Sequence, residues 1–332
     1  MSKSIVCEAP SNIAFVKYWG KYGRQYPLNP SLSMTLSHCK TKCKIDYRLD
    51  KGKGKIESFL FEGKENEKFK TRIENYLYSI KDVYKLADDL VLNIETENTF
   101  PHSAGIASSA SAMAALCLCL ASIENPDNYQ QRASYLSRLA SGSACRSIYS
   151  NYAIWGKNDF LDSSDEYATA FSQVHENFNS LCDSILIVSS SEKEVSSSQG
   201  HALMNTHFYR EGRLAQANEN FRVLVNAMKI GDFDSFGVVL ENEALSLHAL
   251  MMSSYPSFCL LKPASLEIIQ KIRHFRQETN IPCYFTIDAG PNIHLIYPSL
   301  HNTQVKDFIS HECSEHLENV IHDKIGLGAS RL

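Results

Sequence analysis

Apolar and polar positions alternate differently in the two halves of the chain. In the first half, short β-type runs stand at Ser4–Glu8, Leu32–Ser37, Cys43–Leu49 and Ile56–Phe61. Glycines inside Lys51–Lys55 permit positive φ and predict a hairpin turn between the last two. Phe69, Ile73, Leu77 and Ile80 recur at helical spacing, which predicts a helix within 65–86. A strand follows at Leu90–Glu95. Ser108–Ala121 has almost no polar face, so it predicts a central, buried helix. Residues 129–149 read as a helix broken at Gly142, and Tyr152–Trp155 and Ala168–Val174 as strands. A new unit begins near residue 182 with the continuous apolar run Ser184–Val188. Helices are expected at 200–230, 233–251, 264–279 and 302–314, and strands at Cys283–Asp288, Asn292–Tyr297 and 319–324. This pattern predicts an α+β protein of two domains, 1–181 and 182–332.

Composition narrows the classes. A chain of 332 residues with 44% hydrophobic and 21% charged residues is globular rather than disordered. A net charge of −4 supplies no field that would draw it onto nucleic acid or an anionic membrane. The longest clean apolar run, Ala112–Ala121, is about half a bilayer span. The start of the chain carries no apolar signal region, and ten cysteines without a CxxC pair fit reduced thiols in the cytoplasm. His311, Cys313 and His316 read as the solvated face of a helix whose buried stripe is Val305, Phe308 and Ile309, not as a metal site.

The chemistry concentrates in Phe100–Ser111, which runs straight into the buried helix. The first N–H groups of a helix lack intrahelical partners, and the helix dipole adds positive potential there. Gly105 allows close approach of a ligand, Ala107 keeps the approach uncluttered, and Ser108 and Ser109 offer hydroxyls to phosphate or Mg²⁺. A plain serine N-cap accounts for one of these serines but not for the cluster. The segment is neither a GxxxxGK[ST] loop nor a GxSxG elbow.

Pro101-x-x-x-Gly105-x-Ala107-Ser-Ser-Ala110 resembles the ATP loop of the GHMP-kinase superfamily. Further segments resemble the diphosphomevalonate decarboxylase family in order: Ala9–Lys21, Ser141–Ser147, Val195–Gly200, and Phe285–Asn292. Leu247-His-Ala-Leu250 with Tyr255-Pro256 is similar to its His-Ala-Thr helix. The resemblance implies a GHMP-kinase-like fold with a ribosomal-protein-S5-domain-2-like N-terminal domain and a ferredoxin-like C-terminal α/β sandwich. The active site would lie in the cleft between them. It implies use of ATP and Mg²⁺ to convert mevalonate 5-diphosphate into isopentenyl diphosphate, CO₂, ADP and phosphate, by a cytoplasmic homodimer.

Asp288 ends an apolar strand before a tight turn, and the resemblance implies that it takes the proton of the substrate's C3 hydroxyl. Arg146 would clamp the substrate carboxylate, since its planar fork matches that group. Lys17 would support Asp288 and, with Lys21, Tyr18 and Arg72, face the diphosphate. Asn12, Ser141 and Ser197 would surround the substrate. Asn98, Gly105, Ala107, Ser108 and Ser109 would face ATP, with the two serines as Mg²⁺ ligands. The chain departs from the family at Asn29-Pro30-Ser31, Ser150-Asn151 and His248-Ala-Leu250, which bears on selectivity for the phosphate tail. The competing readings are a decarboxylase of the monophosphate, a 3-kinase, and a catalytically inactive metabolite-binding homologue.

Overall fold

The computed structural model describes residues 2–101, 108–191 and 197–332, with the backbone alone at residues 197 and 198. Two long antiparallel strands, β1 (Lys3–Val16) and β2 (Ser31–Leu49), form the spine of the first half. Both are longer than the apolar runs within them. Pro10, which has no N–H to give a ladder, sits where the register shifts by a bulge, so β1 passes through it. The polar stretch Lys40–Lys42 remains strand because β2 is paired on both sides.

β3 (Lys55–Phe61) is followed by α1 (Glu67–Ser79), and β4 (Leu90–Asn98) by α2 (Ser108–Glu124) and α3 (Tyr129–Ala140). β4 pairs antiparallel with Thr41–Leu49 of β2 and parallel with β3. The other end of β2 pairs with β5 (Tyr152–Trp155). α2 is buried from Ala110 through Ala121 on all sides, as its apolar circumference requires. The helix over 129–149 does stop early: Ser141 is extended, and a tight turn over Gly142–Ile148 replaces the last turns. The expected strand at 168–174 is only Thr169–Ala170.

The second half has an antiparallel sheet in the order β7–β8–β6–β9, built from β6 (Leu181–Ile187), β7 (Tyr284–Thr286), β8 (Ile293–Pro298) and β9 (Asn319–Lys324). Its helices are α4 (Ser197–Leu203), α5 (Arg210–Ile230), α6 (Phe233–Ser253), α7 (Pro263–Thr279) and α8 (Asn302–Phe308). A π-type turn over Ile309–Cys313 continues α8. It turns Cys313 inward and leaves His311 exposed, while His316 meets Glu267 at 3.1 Å.

One apolar core joins the halves. Ile13, Phe15 and Met34 from the first sheet pack with Phe221 of α5, Phe236 of α6 and Ile185 of β6. The chain then crosses back: β10 (Ser330–Arg331) pairs with β1, and Asp323 accepts the N–H groups of Ser37, His38 and Cys39 at 2.8–2.9 Å. Among the described residues no helix is long and apolar enough to cross a membrane.

All ten cysteines are free thiols, and only Cys259 is exposed. Thiol titration should therefore find one fast-reacting group in the folded protein and ten in denaturant without reductant. A smaller total in denaturant would contradict the reduced state.

Candidate active site

Lys17 follows directly on β1 and is only 2% exposed. Its ammonium donates to the Ala14 carbonyl at 2.7 Å and to Asp288 Oδ1 at 2.8 Å. Burial pushes its pKa down, and the carboxylates of Asp288 and Glu243 push it back up. Asp288 comes from the turn after β7 and keeps a side chain 32% exposed, so this carboxylate is the edge of the pair that reaches solvent. A small pocket borders it, lined by Ser189, Ser191, Gly290, Asn292 and His294. His248 of α6 donates its Nε2–H to the Asp288 carbonyl at 3.1 Å, which fixes the turn.

A second buried pair underlies the first. Glu243 of α6 accepts the Lys17 backbone N–H at 2.8 Å and both Arg213 Nη groups at 2.7 Å. Glu243 and Arg213 side chains are 0% and 1% exposed. Bidentate geometry and the extra donor from Asn220 at 2.7 Å compensate the removal of both charges from water.

Arg146 sits in the tight turn after α3 and is 2% exposed. Its Nε donates to Ser33 Oγ at 3.0 Å and its Nη1 to Ser31 Oγ at 2.7 Å. Among the described residues no carboxylate pairs with it, and burial lowers its pKa while Asp288 acts in the opposite sense. Two hydroxyls thus orient a guanidinium without neutralising it, which leaves a buried cation suited to an anionic ligand. Asn12 lies alongside, donating to Ser147 Oγ at 2.7 Å, with its own Oδ1 buried and unpartnered among the described residues.

The Tyr18 ring packs against Trp155 at 4.7 Å and His201 at 4.3 Å, both tilted, and its hydroxyl is buried without a partner among the described residues. Gly142 makes this possible, since a Cβ there would lie 2.8 Å from the Tyr18 ring and hydroxyl. Lys21 is half-buried, and its ammonium donates to Gln25 Oε1 at 2.8 Å. Burial lowers its pKa. Ser141 caps the tight turn from an extended backbone, without a side-chain capping bond.

The phosphate-loop residues form a separate group. Ser108 is half-buried and Ser109 exposed at the start of α2. Asn98 accepts from Thr41 Oγ1 at 2.7 Å, and the same hydroxyl meets Ser111 Oγ at 2.7 Å, which ties the end of β4 to the first turn of α2. Gly105, Ala107 and the side chain of Ser197 lie outside the described residues. Arg72 is exposed on α1 with no ion-pair partner among the described residues, and partial burial of its guanidinium lowers its pKa.

The structure adds Glu243, Arg213 and Ser33, which the sequence did not point to, and gives contacts to His248, Ser31 and Ser147, which it marked only as members of motifs. Glu243 carried a signal. It stands at helical spacing among Phe236, Val239, Leu240 and Leu247, on the apolar face of α6, where a lone carboxylate must have a partner.

Residues 9–168 match the family described as the diphosphomevalonate decarboxylase-like N-terminal domain, and residues 184–327 the mevalonate 5-diphosphate decarboxylase C-terminal domain. The chain is 30% identical to the diphosphomevalonate decarboxylase of Candida albicans over 312 residues, covering 90% of this chain and 85% of that one. To the Danio rerio enzyme it is 31% identical over 307 residues, 87% of this chain and 74% of the other. The solved mevalonate diphosphate decarboxylase of Staphylococcus aureus superposes with a TM-score of 0.86 at 30% identity, covering 100% of this chain and 98% of that one. The structure "MDDEF in complex with MVAPP, AMPPCP and Magnesium" also gives 0.86, at 29% identity, covering 100% and 99%.

Replacing Glu243 by Gln should leave the Arg213 guanidinium buried without a counter-charge and cost about 3–5 kcal/mol in urea unfolding. The double change Glu243→Leu with Arg213→Met should cost much less, because it removes both charges. A single variant within about 1 kcal/mol of the parent would show that the pair does not hold this site.

Proposed function

This chain belongs to the diphosphomevalonate decarboxylase family, and from that premise we propose how its residues carry the family's reaction. The protein uses ATP and Mg²⁺ to decarboxylate mevalonate 5-diphosphate to isopentenyl diphosphate, releasing CO₂, ADP and phosphate. The observation that carries the assignment of roles is Arg146, a buried guanidinium aimed by two serines and paired with no carboxylate among the described residues.

Arg146 receives the C1 carboxylate of the substrate. Asp288 takes the C3 hydroxyl proton as that oxygen attacks the γ-phosphate of ATP. Lys17 anchors Asp288 from below, so the carboxylate keeps its position as the substrate enters. When the phosphate leaves C3 with its bonding pair, the C1–C2 bond breaks. Its electrons form the C2–C3 alkene as CO₂ departs. The Arg146 fork holds the breaking bond in line with the leaving group, and the buried cations around it do not need to reorganise.

Asn12 and Ser141 stand beside Arg146 and contact the substrate, joined by Ser197. Tyr18, Lys21 and Arg72 take its diphosphate. Asn98, Gly105, Ala107, Ser108 and Ser109 receive ATP. The unsatisfied N–H groups at the start of α2 suit phosphate, and the serine hydroxyls are hard oxygen donors of the kind Mg²⁺ accepts. Bound there, Mg²⁺ would offset charge on the transferred phosphoryl group. The chain divides into working halves at 181/182. Ten free thiols favour a reducing cytoplasm, and a homodimer is part of this proposal.

Asp288→Asn keeps the shape of the turn but removes the basic oxygen. Turnover should fall at least about 10²-fold with ATP affinity nearly unchanged; near-normal turnover would refute the assignment. Arg146→Lys keeps a charge without the fork. In rapid-quench assays with mevalonate, its monophosphate and its diphosphate, the unaltered protein should release ADP and CO₂ in equal amounts from the diphosphate alone. The lysine variant should bind ATP normally and lose most turnover. ADP without CO₂ from the unaltered protein would make it a 3-kinase.

A further inference from the structure

The aromatic cluster around Tyr18 contains one ring that the reaction scheme above leaves unused. His201, on α4, lies 4.3 Å from the Tyr18 ring and 4.8 Å from the Trp19 ring, and is 8% exposed. Its Nδ1 accepts the backbone N–H of Gly20 at 2.9 Å. The geometry of Gly20 is specific: φ is +94°, and a Cβ there would lie 2.6 Å from Leu28. A nitrogen that accepts a hydrogen bond carries no proton, so in the neutral ring the proton resides on Nε2. Burial and the charge of nearby Lys21 push the imidazole down to about 3, so the ring is neutral at physiological pH. The Nε2–H has no partner among the described residues.

Two neighbours share this condition. Among the described residues the Tyr18 hydroxyl is buried with no partner, and half-buried Lys21 has only the neutral Gln25 amide as its acceptor. A cation and two neutral donors are therefore gathered in one place, and among the described residues no carboxylate answers them. A ligand with several anionic oxygens would accept from all three at once.

We infer that His201 is a further substrate-binding residue, whose Nε2–H donates to an oxygen of the substrate's phosphate tail beside Tyr18 and Lys21. The inference rests on the reading above that these two residues face that tail. His201 contributes as a neutral donor with a tautomer set by the Gly20 N–H, so it adds direction to the site without adding charge. It also couples tail binding to α4, because the same ring packs that helix against Tyr18 and Trp19.

Three substitutions separate the two ring nitrogens. His201→Phe keeps a ring with neither nitrogen, and His201→Asn keeps an acceptor for Gly20 but no donor at the Nε2 position. His201→Gln places an amide donor near that position. The KM for mevalonate 5-diphosphate should rise about tenfold or more in the Phe and Asn variants and return most of the way in the Gln variant. The KM for ATP should stay within about twofold throughout. Inorganic pyrophosphate, titrated by calorimetry, should follow the same order. Because the Phe variant could misfold, a further measurement uses the unaltered protein labelled with ¹⁵N-histidine: pyrophosphate should shift the ring N–H resonance that is missing from the Gln variant. An unmoved resonance, an unchanged KM in the Phe and Asn variants, or rescue by Asn instead of Gln would overturn the inference. If the unaltered protein fails to turn over mevalonate 5-diphosphate, the assigned reaction falls, while pyrophosphate binding that depends on His201 would still support this donor.

Discussion

A single ammonium group, buried where three parts of the chain meet, sets the terms for the rest of the structure. Lys17 cannot stay charged at 2% exposure without partners, and each partner comes from a different place. Ala14 belongs to β1 and Asp288 to the turn after β7, while Glu243 of α6 accepts the Lys17 backbone N–H and adds its charge nearby. Through Glu243 the requirement passes to Arg213 on α5. The two sheets and their helices are thus held in one relative placement by charge compensation as well as by the shared apolar core. A small displacement between them would strand an ion in low dielectric, which costs more than a lost apolar contact.

The surroundings of Arg146 obey a different rule. Lys17 and Arg213 are matched to carboxylates, but Arg146 is held by the hydroxyls of Ser31 and Ser33, which supply orientation and leave its charge unspent. The protein therefore contains structural cations and a waiting cation within one cluster, told apart by whether their partners are charged. Such pre-aimed charge needs no rearrangement when an anion arrives.

Much of this was legible in the chain. α2 was plain because its apolar residues run round the whole circumference, and β5 and β9 because short runs met clear turns. β1 and β2 were read too short, since Ala9-Pro10 and Lys40–Lys42 interrupt the alternation while pairing on both flanks maintains the strand. Lys17, Asp288 and Arg146 were found through motifs, and the structure joins the first two directly. Ser33 left no trace, and Ser31 showed only within the Asn29-Pro30-Ser31 departure, because a serine in a strand has no periodic signature and its role depends on a turn more than a hundred residues away. Arg72 was picked out by likeness to the family alone, since an exposed arginine on a helix carries no signal of its own.

The return of the chain to its first sheet has a consequence for how the protein is made. Asp323 caps the backbone of Ser37, 286 residues earlier, and Arg331 lies beside Cys7. At about 5–20 residues per second, a ribosome needs tens of seconds to deliver Asp323 after β2 has emerged. Through that interval the outer edge of β1 is without its neighbour and three N–H groups of β2 are without their carboxylate. An unpaired strand edge is a template for wrong partners. The first half is thus a nascent chain in need of protection until Asp323 and Arg331 have been made.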